Sequence, residues 1–183
     1  EAAGADYTVG VDPNTLFEYP HVSARLADEL EPFGTVANFE DPVLKNNLDW
    51  YRMLREKTNI PIALHLQDPG AVLRAMKAEC VDFVNFSATA QVVKQMAIVA
   101  DAADVPCWVQ MGGLCLGVKA AYSAHVQATI PNATLPCDEL PFVRIDDVLS
   151  GALVVEEGHF VLPEGPGLGV KLDMAVVEKY RVG

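Results

Sequence analysis

Along this chain the hydrophobic pattern switches repeatedly between two periods. Short apolar runs alternate with longer stretches in which apolar residues return every three or four positions, the spacing of one helical face. Tyr7–Val11 is the first run, a strand closed by Asp12-Pro13-Asn14. Val22, Leu26, Ala27 and Leu30 then follow at helical spacing, with Asp28, Glu29 and Glu31 on the solvated side and a stop at Phe33-Gly34. Val36–Phe39 is a second strand, ended by Glu40-Asp41-Pro42 because proline cannot donate to a sheet ladder. The next helix carries Leu48, Tyr51 and Leu54 on one face and Asp49, Arg52 and Glu56 on the other.

Pro61–Leu66 is nearly all apolar, as a parallel strand covered on both faces should be. A helix through Val72 and Met76, a strand at Val81–Phe86, an alanine-rich helix at Val92–Ala103 and a strand at Val105–Met111 continue the series. Leu116–Thr129 is expected to be helical, and Thr134–Cys137 to begin a sixth strand. The repeated strand–helix order predicts α/β architecture with a parallel sheet. Candidate strand tips fall at Asp12, Glu40, His65, Ser87, Met111 and Cys137, roughly 22 to 28 residues apart, one β/α unit each. A complete (β/α)-barrel takes about 250 residues. We therefore expect a partial TIM-type barrel, units 3–8, over residues 1–150. Residues 151–183 are expected to form a C-terminal hairpin-and-helix extension, with Ala152–Val155 and His159–Leu162 as the hairpin arms and Met174–Tyr180 as the helix. Glu1-Ala-Ala-Gly-Ala-Asp6 reads as the end of a helix already in mid-architecture, so we read the chain as a piece of a longer protein.

Composition narrows the function classes. The 183 residues are 51% hydrophobic, enough for a sizeable core. A net charge of −12 offers nothing to offset phosphate repulsion, which argues against nucleic acid and anionic membranes as partners. No apolar run reaches the length of a membrane span. Cys80, Cys107, Cys115 and Cys137 show no metal-binding or redox spacing and read as reduced thiols of a cytoplasmic protein.

The candidate chemistry sits at the tips. Asp12, Glu40 and His65 are ligand-type side chains at the ends of three successive strands, about 28 and 25 residues apart, which points to a metal site. A strand-end carboxylate can equally cap the next helix, and a histidine in an apolar strand can be a hydrogen-bonded core residue. Gln67 or Asp68 could supply oxygen in place of His65, whose imidazole suits Zn2+, Mn2+ or Fe2+ better than Mg2+. Met111-Gly-Gly-Leu-Cys-Leu-Gly117 lacks the residues of a phosphate loop. Cys137 has no histidine placed to activate it and reads as a buried thiol. His21, His125 and His159 read as structural or surface residues.

Glu1-Ala-Ala-Gly-Ala-Asp6, Val11-Asp-Pro-Asn14, Phe39-Glu-Asp-Pro42 and Pro166-Gly-Leu-Gly-Val170, in that order, resemble the C-terminal barrel of the enolase superfamily. The subgroup it looks like is that of mandelate racemase, muconate lactonizing enzyme and the sugar-acid dehydratases. That resemblance implies Mg2+, or another divalent ion such as Mn2+, held by Asp12, Glu40 and a third ligand at the His65 position. It implies abstraction of the proton α to a carboxylate through an enediolate, with Asn14 contacting the substrate and Asp138, ahead of Glu139, helping to bind it. It also implies a small carboxylate substrate, a homo-oligomer and an N-terminal capping domain absent from this chain. The chain departs from the pattern in three ways. His65 replaces an oxygen ligand. The His–Asp dyad of the racemase type is missing, its positions being Met111 and Asn85 or Ser87. The Lys-x-Lys base motif lies upstream of Glu1. Dehydration by one upstream lysine is the reaction these departures favour; racemisation or cycloisomerisation, and a non-catalytic carboxylate binder, are the alternatives.

Overall fold

The structure, a computed structural model, describes residues 7–111, 115–138 and 144–182. It divides into two compact units, one up to Cys107 and one from Trp108 onward. The Glu1–Asp6 motif, the middle of the 111–117 glycine stretch and Glu139 lie outside the described residues.

The first unit is built from strand–helix pairs: β1 (Val9–Val11), α1 (Pro20–Leu30), β2 (Val36–Glu40), α2 (Leu48–Lys57), β3 (Ile62–Leu66), α3 (Pro69–Lys77), β4 (Phe83–Phe86) and α4 (Ala90–Asp101). The sheet continues to β5 (Cys107–Val109), and its strands stand in chain order. The ladders are parallel: Val11 pairs with Phe39, Glu40 with Ala63 and His65 with Asn85. The α/β architecture expected from the pattern is the one the chain forms.

The register sorts side chains by chemistry. Successive residues of a strand point to opposite faces, and ladder partners share a face. Asn38 and Glu40, Ala63 and His65, and Asn85 therefore project from one side. Phe39, Ile62, Leu64, Val84 and Phe86 project from the other, and all five are buried. One face carries the core and the other carries the chemistry.

The turn after β2 is clamped from two helices. Ser23 on α1 donates its hydroxyl to Pro42 O at 2.9 Å, and Tyr51 on α2 donates to Val43 O at 2.6 Å. Both side chains are fully buried, so each bond replaces water that neither carbonyl can reach. Tyr51→Phe leaves the Val43 carbonyl unsatisfied and is expected to cost about 1–3 kcal/mol in thermal or urea unfolding. Unchanged stability would mean that water reaches this carbonyl.

The second unit packs Met111, Ala120 and Ala124 with Cys137, Leu153 and Phe160. Its helix α5 (Gly117–Gln127) is capped from a distance: Asp147 Oδ2 accepts the Gly117 N–H at 2.8 Å. The hairpin forms as β6 (Val155–Glu156) and β7 (His159–Phe160), shorter than the runs expected. Glu157 and Gly158 turn it with φ of 49° and 78°, the positive pair that a two-residue hairpin loop needs. The terminal helix α6 (Met174–Lys179) starts at Asp173, whose carboxylate accepts the Ala175 and Val176 N–H groups.

The segment from Thr134 to Cys137, expected to begin a sixth strand, is irregular instead, and residues 139–143, where that strand would continue, lie outside the described residues. Pro136 removes a ladder donor, and Gln127 Nε2 takes the Leu135 carbonyl at 3.3 Å. Gly169 is held at φ 68°, and a Cβ there would lie 2.6 Å from Pro163 O. Gly169→Ala therefore combines backbone strain with a clash and should cost about 1–3 kcal/mol. A melting temperature equal to the parent's would show that this loop rearranges freely.

Candidate metal centre

Glu40, Asp41 and His65 bring a ligand atom each within 4.8 Å of one another. They come from the ends of two adjacent parallel strands, the edge at which β/α folds place their sites. Glu40 is the last residue of β2, on the polar face, and only 9% exposed. Asn85 on β4 donates Nδ2 to Glu40 Oε1 at 2.8 Å, which fixes the carboxylate across the intervening strand. The other end of that amide, Asn85 Oδ1, is buried and has no hydrogen-bond partner.

Asp41 joins the cluster by a backbone device. Continued as a strand, the chain would send its side chain to the core face. Its φ of 43° breaks the strand instead, and the carboxylate turns back toward β3. Oδ1 accepts the His65 N–H at 3.0 Å, and Oδ2 pairs with Lys45 Nζ at 2.6 Å. The Asp41 carbonyl accepts the Thr15 N–H at 2.8 Å, tying the loop after β1 to the tip of β2.

His65 stands one residue before the end of β3. Its Nε2 lies 2.6 Å from Ser87 Oγ, and Gln67 Nε2 donates to the same hydroxyl at 3.2 Å. Asp68 caps α3, accepting the Ala71 N–H at 2.8 Å. Asp68 Oδ1 is thus engaged at the start of α3 and Gln67 is held on Ser87 by its nitrogen, while His65 is the residue gathered with the two carboxylates.

Asp12 follows β1 at the neighbouring tip. Asn14 wraps around it, its backbone N–H donating to Asp12 Oδ1 at 2.7 Å and its Nδ2 to Asp12 O at 3.4 Å. Asp12 is exposed by area and is not within the tight cluster. The surrounding protein still desolvates it and raises its carboxyl above the usual range; the Asn14 N–H pulls it back, and the Asp41 charge raises it further. Asp41 is raised as well, chiefly by burial, against the lowering effect of Lys45 and the His65 N–H. Desolvated carboxylates beside an imidazole and an orphaned amide oxygen fit a cation, the partner that satisfies all of them together.

Lys45 is the feature sequence reasoning passed over, because it lies in the loop past the tip. Besides Asp41, its ammonium donates to His65 O at 3.0 Å. A bound cation would share Asp41 with that ammonium. Lys45→Met is therefore expected to tighten divalent-cation binding by about three- to tenfold, measured by calorimetric titration with Mn2+. Weaker binding would mean that Lys45 organises the site instead of opposing the ion.

The remaining candidates fall elsewhere. Asp138 is exposed in the second unit. Met111, where the resemblance would place a dyad histidine, is 2% exposed within the Ala120–Ala124 core, and its thioether can transfer no proton. His125 Nε2 lies 3.2 Å from Leu168 O, His159 Nδ1 lies 3.0 Å from Glu157 O, and His21 stacks on Tyr19. All four cysteines carry free thiols. Burial pushes Cys80 up to about 11 and Cys107 up to about 12, so neither is a nucleophile.

Residues 1–176 match the family model described as enolase C-terminal domain-like. Among curated proteins, the chain is 29% identical to a chloromuconate cycloisomerase of Pseudomonas putida, covering 94% of this chain and 48% of that protein. It is 28% identical to D-xylonate dehydratase of Haloferax volcanii, covering 86% and 39% respectively. The solved structure of 2-chloromuconate cycloisomerase from Rhodococcus opacus superposes with a TM-score of 0.85 at 27% identity, over 96% of this chain and 50% of that one. The chain thus spans about half the length, or less, of the proteins it matches.

Proposed function

This chain belongs to the enolase C-terminal domain-like family, and on that premise we propose that the whole protein removes the α-proton of a small hydroxy- or sugar-carboxylate with the help of a divalent cation, most simply in a dehydration. The observation that carries this reading is the gathering of Glu40, Asp41 and His65 at the strand ends, with Glu40 held by the Nδ2 of the buried Asn85. Glu40 and His65 would hold the cation, and Asp12 or Asp41 would complete the set. When bound, the cation supplies positive charge where negative charge grows on the substrate carboxylate as the proton leaves.

The chain's own residues do the rest. Asn85 fixes the Glu40 carboxylate, so that its geometry is set before substrate arrives. Asn14 locks Asp12 through two hydrogen bonds and presents its own amide at the exposed rim, where it can meet a substrate hydroxyl. Asp138 is proposed to assist substrate binding. The buried Met111 offers no acid or base, so a two-sided proton transfer is disfavoured and a single base, a lysine outside this chain, is proposed. We further propose an N-terminal capping domain, a cytoplasmic setting and a homo-oligomer. Mg2+ is the ion the family resemblance suggests.

Cycloisomerisation is the second reading, favoured by the likeness to chloromuconate cycloisomerases. Incubating the whole protein with α-deuterated sugar acids and a divalent cation separates the readings. Exchange together with loss of water supports dehydration. Turnover of a muconate-type substrate without loss of water supports the second reading. Binding of carboxylates with neither exchange nor turnover overturns both in favour of a non-catalytic binder.

A further inference from the structure

We infer that the cation site is a mixed carboxylate–imidazole centre, with His65 as a ligand and Asn85 Oδ1 as a supporting oxygen, and that it takes a first-row transition-metal dication, from Mn2+ to Zn2+, in preference to Mg2+. This inference rests on the metal-dependent reading above and specifies which ion that site selects.

Three observations carry it. First, the ladder pairs His65 directly with Asn85, so the imidazole and the amide leave the sheet on the same face and at the same level. Glu40 belongs to that face too, and it touches the amide at 2.8 Å. The Glu40 and His65 donor atoms lie within 4.8 Å of each other, and the Asn85 amide meets that carboxylate. Second, Asn85 is 2% exposed with Oδ1 lacking any hydrogen-bond partner. A buried amide oxygen left in that state is destabilising, a penalty that a cation or its water removes. Third, His65 has the support that ligating histidines have. A metal-bound imidazole holds its second nitrogen against a hydrogen-bonding neighbour, which fixes the ring. Ser87 Oγ sits 2.6 Å from His65 Nε2 and is itself anchored by Gln67.

The donor set then decides the ion. Mg2+ is hard, demands near-octahedral oxygen and gives up water reluctantly. Imidazole nitrogen suits the first-row transition ions, whose affinity for nitrogen-containing sites rises along the series toward copper. Asp68 turns its Oδ1 to the start of α3, and the Gln67 amide is held on Ser87 through its Nε2, whereas His65 is the residue at this tip gathered with the carboxylates. Replacing an oxygen donor by His65 therefore lowers the standing of Mg2+ relative to its competitors.

The test loads the protein with Mn2+ and records the electron spin echo, in which a coordinated imidazole nitrogen leaves a modulation. Alongside it, Mn2+ and Mg2+ affinities are measured by titration for the parent and for His65→Asp. Nitrogen modulation in the parent, with a Mn2+-to-Mg2+ affinity ratio that falls by about tenfold or more in His65→Asp, is the expected result. Mn2+ binding without nitrogen modulation overturns this inference and leaves the metal-dependent reading standing. Failure of every divalent ion to bind overturns both. Should His65→Asp not fold, the parent's spin-echo signal and the same ratio measured in His65→Gln still decide the matter.

Discussion

Glu40→Ala in the whole protein is expected to lower divalent-cation affinity by about a hundredfold or more and turnover by roughly a thousandfold or more. Glu40 is the carboxylate that the fold prepares most carefully. It ends β2 on the polar face, is 9% exposed, and takes a hydrogen bond from Asn85, 45 residues away. A carboxylate desolvated to that degree is costly unless a cation meets it, so its loss removes both a ligand and the charge that draws the ion in. Glu40→Gln sharpens the experiment. Glutamine can still accept from Asn85 Nδ2, so the packing survives while the negative charge disappears; it should bind the ion nearly as poorly as Glu40→Ala. Glu56→Ala, an exposed change on α2, is the control and should leave both measurements unchanged. Undiminished Mn2+ binding by Glu40→Ala would move the site away from the β2 tip and sink the reading.

The parts of this centre differ in how openly the sequence shows them. Parallel strands buried on both faces read as apolar runs, and the Glu-Asp-Pro stop marks where one ends, so β2, β3 and the placement of Glu40 and His65 follow from the residues alone. Asp41 does not. Strand alternation assigns it to the core face, and only a positive φ at a non-glycine residue brings its carboxylate to His65. Lys45 enters through the path of a loop, which periodicity does not describe. Asn85 could be placed on a strand, yet its contact with Glu40 depends on the register of β2, β3 and β4 taken together. Asp12 was legible as a tip residue, and the structure keeps it there, but as an exposed neighbour of the cluster fastened to Asn14. The start expected for a sixth strand is irregular among the described residues for a simple reason: Thr134-Leu-Pro-Cys137 is apolar enough for a strand, and Pro136 removes a ladder donor. Short apolar runs announce burial before they announce hydrogen bonding.

Phe39→Ala should reveal how the core face and the chemical face depend on each other. Phe39 is 1% exposed and immediately precedes Glu40, so the strand that buries its ring on one side presents the carboxylate on the other. Truncating the ring is expected to cost about 3–5 kcal/mol, the range for a buried phenylalanine left as a cavity. Against a total stability of about 5–15 kcal/mol, that is enough to place part of the population unfolded near physiological temperature. A ligand that binds only the folded chain opposes this by mass action, returning about 2.7 kcal/mol at a hundred times its Kd. Saturating Mn2+ should therefore restore more than half of the lost stability in Phe39→Ala if the loss lies at the low end of that range. The Phe39→Ala/Glu40→Ala double variant should gain almost nothing from the ion, because the site that converts binding into stability has been removed. Thermal melts with and without the cation measure both. Equal rescue of the single and double variants would show that the ion stabilises the chain from some other place, and the coupling between Phe39 and the strand-end site would have to be abandoned.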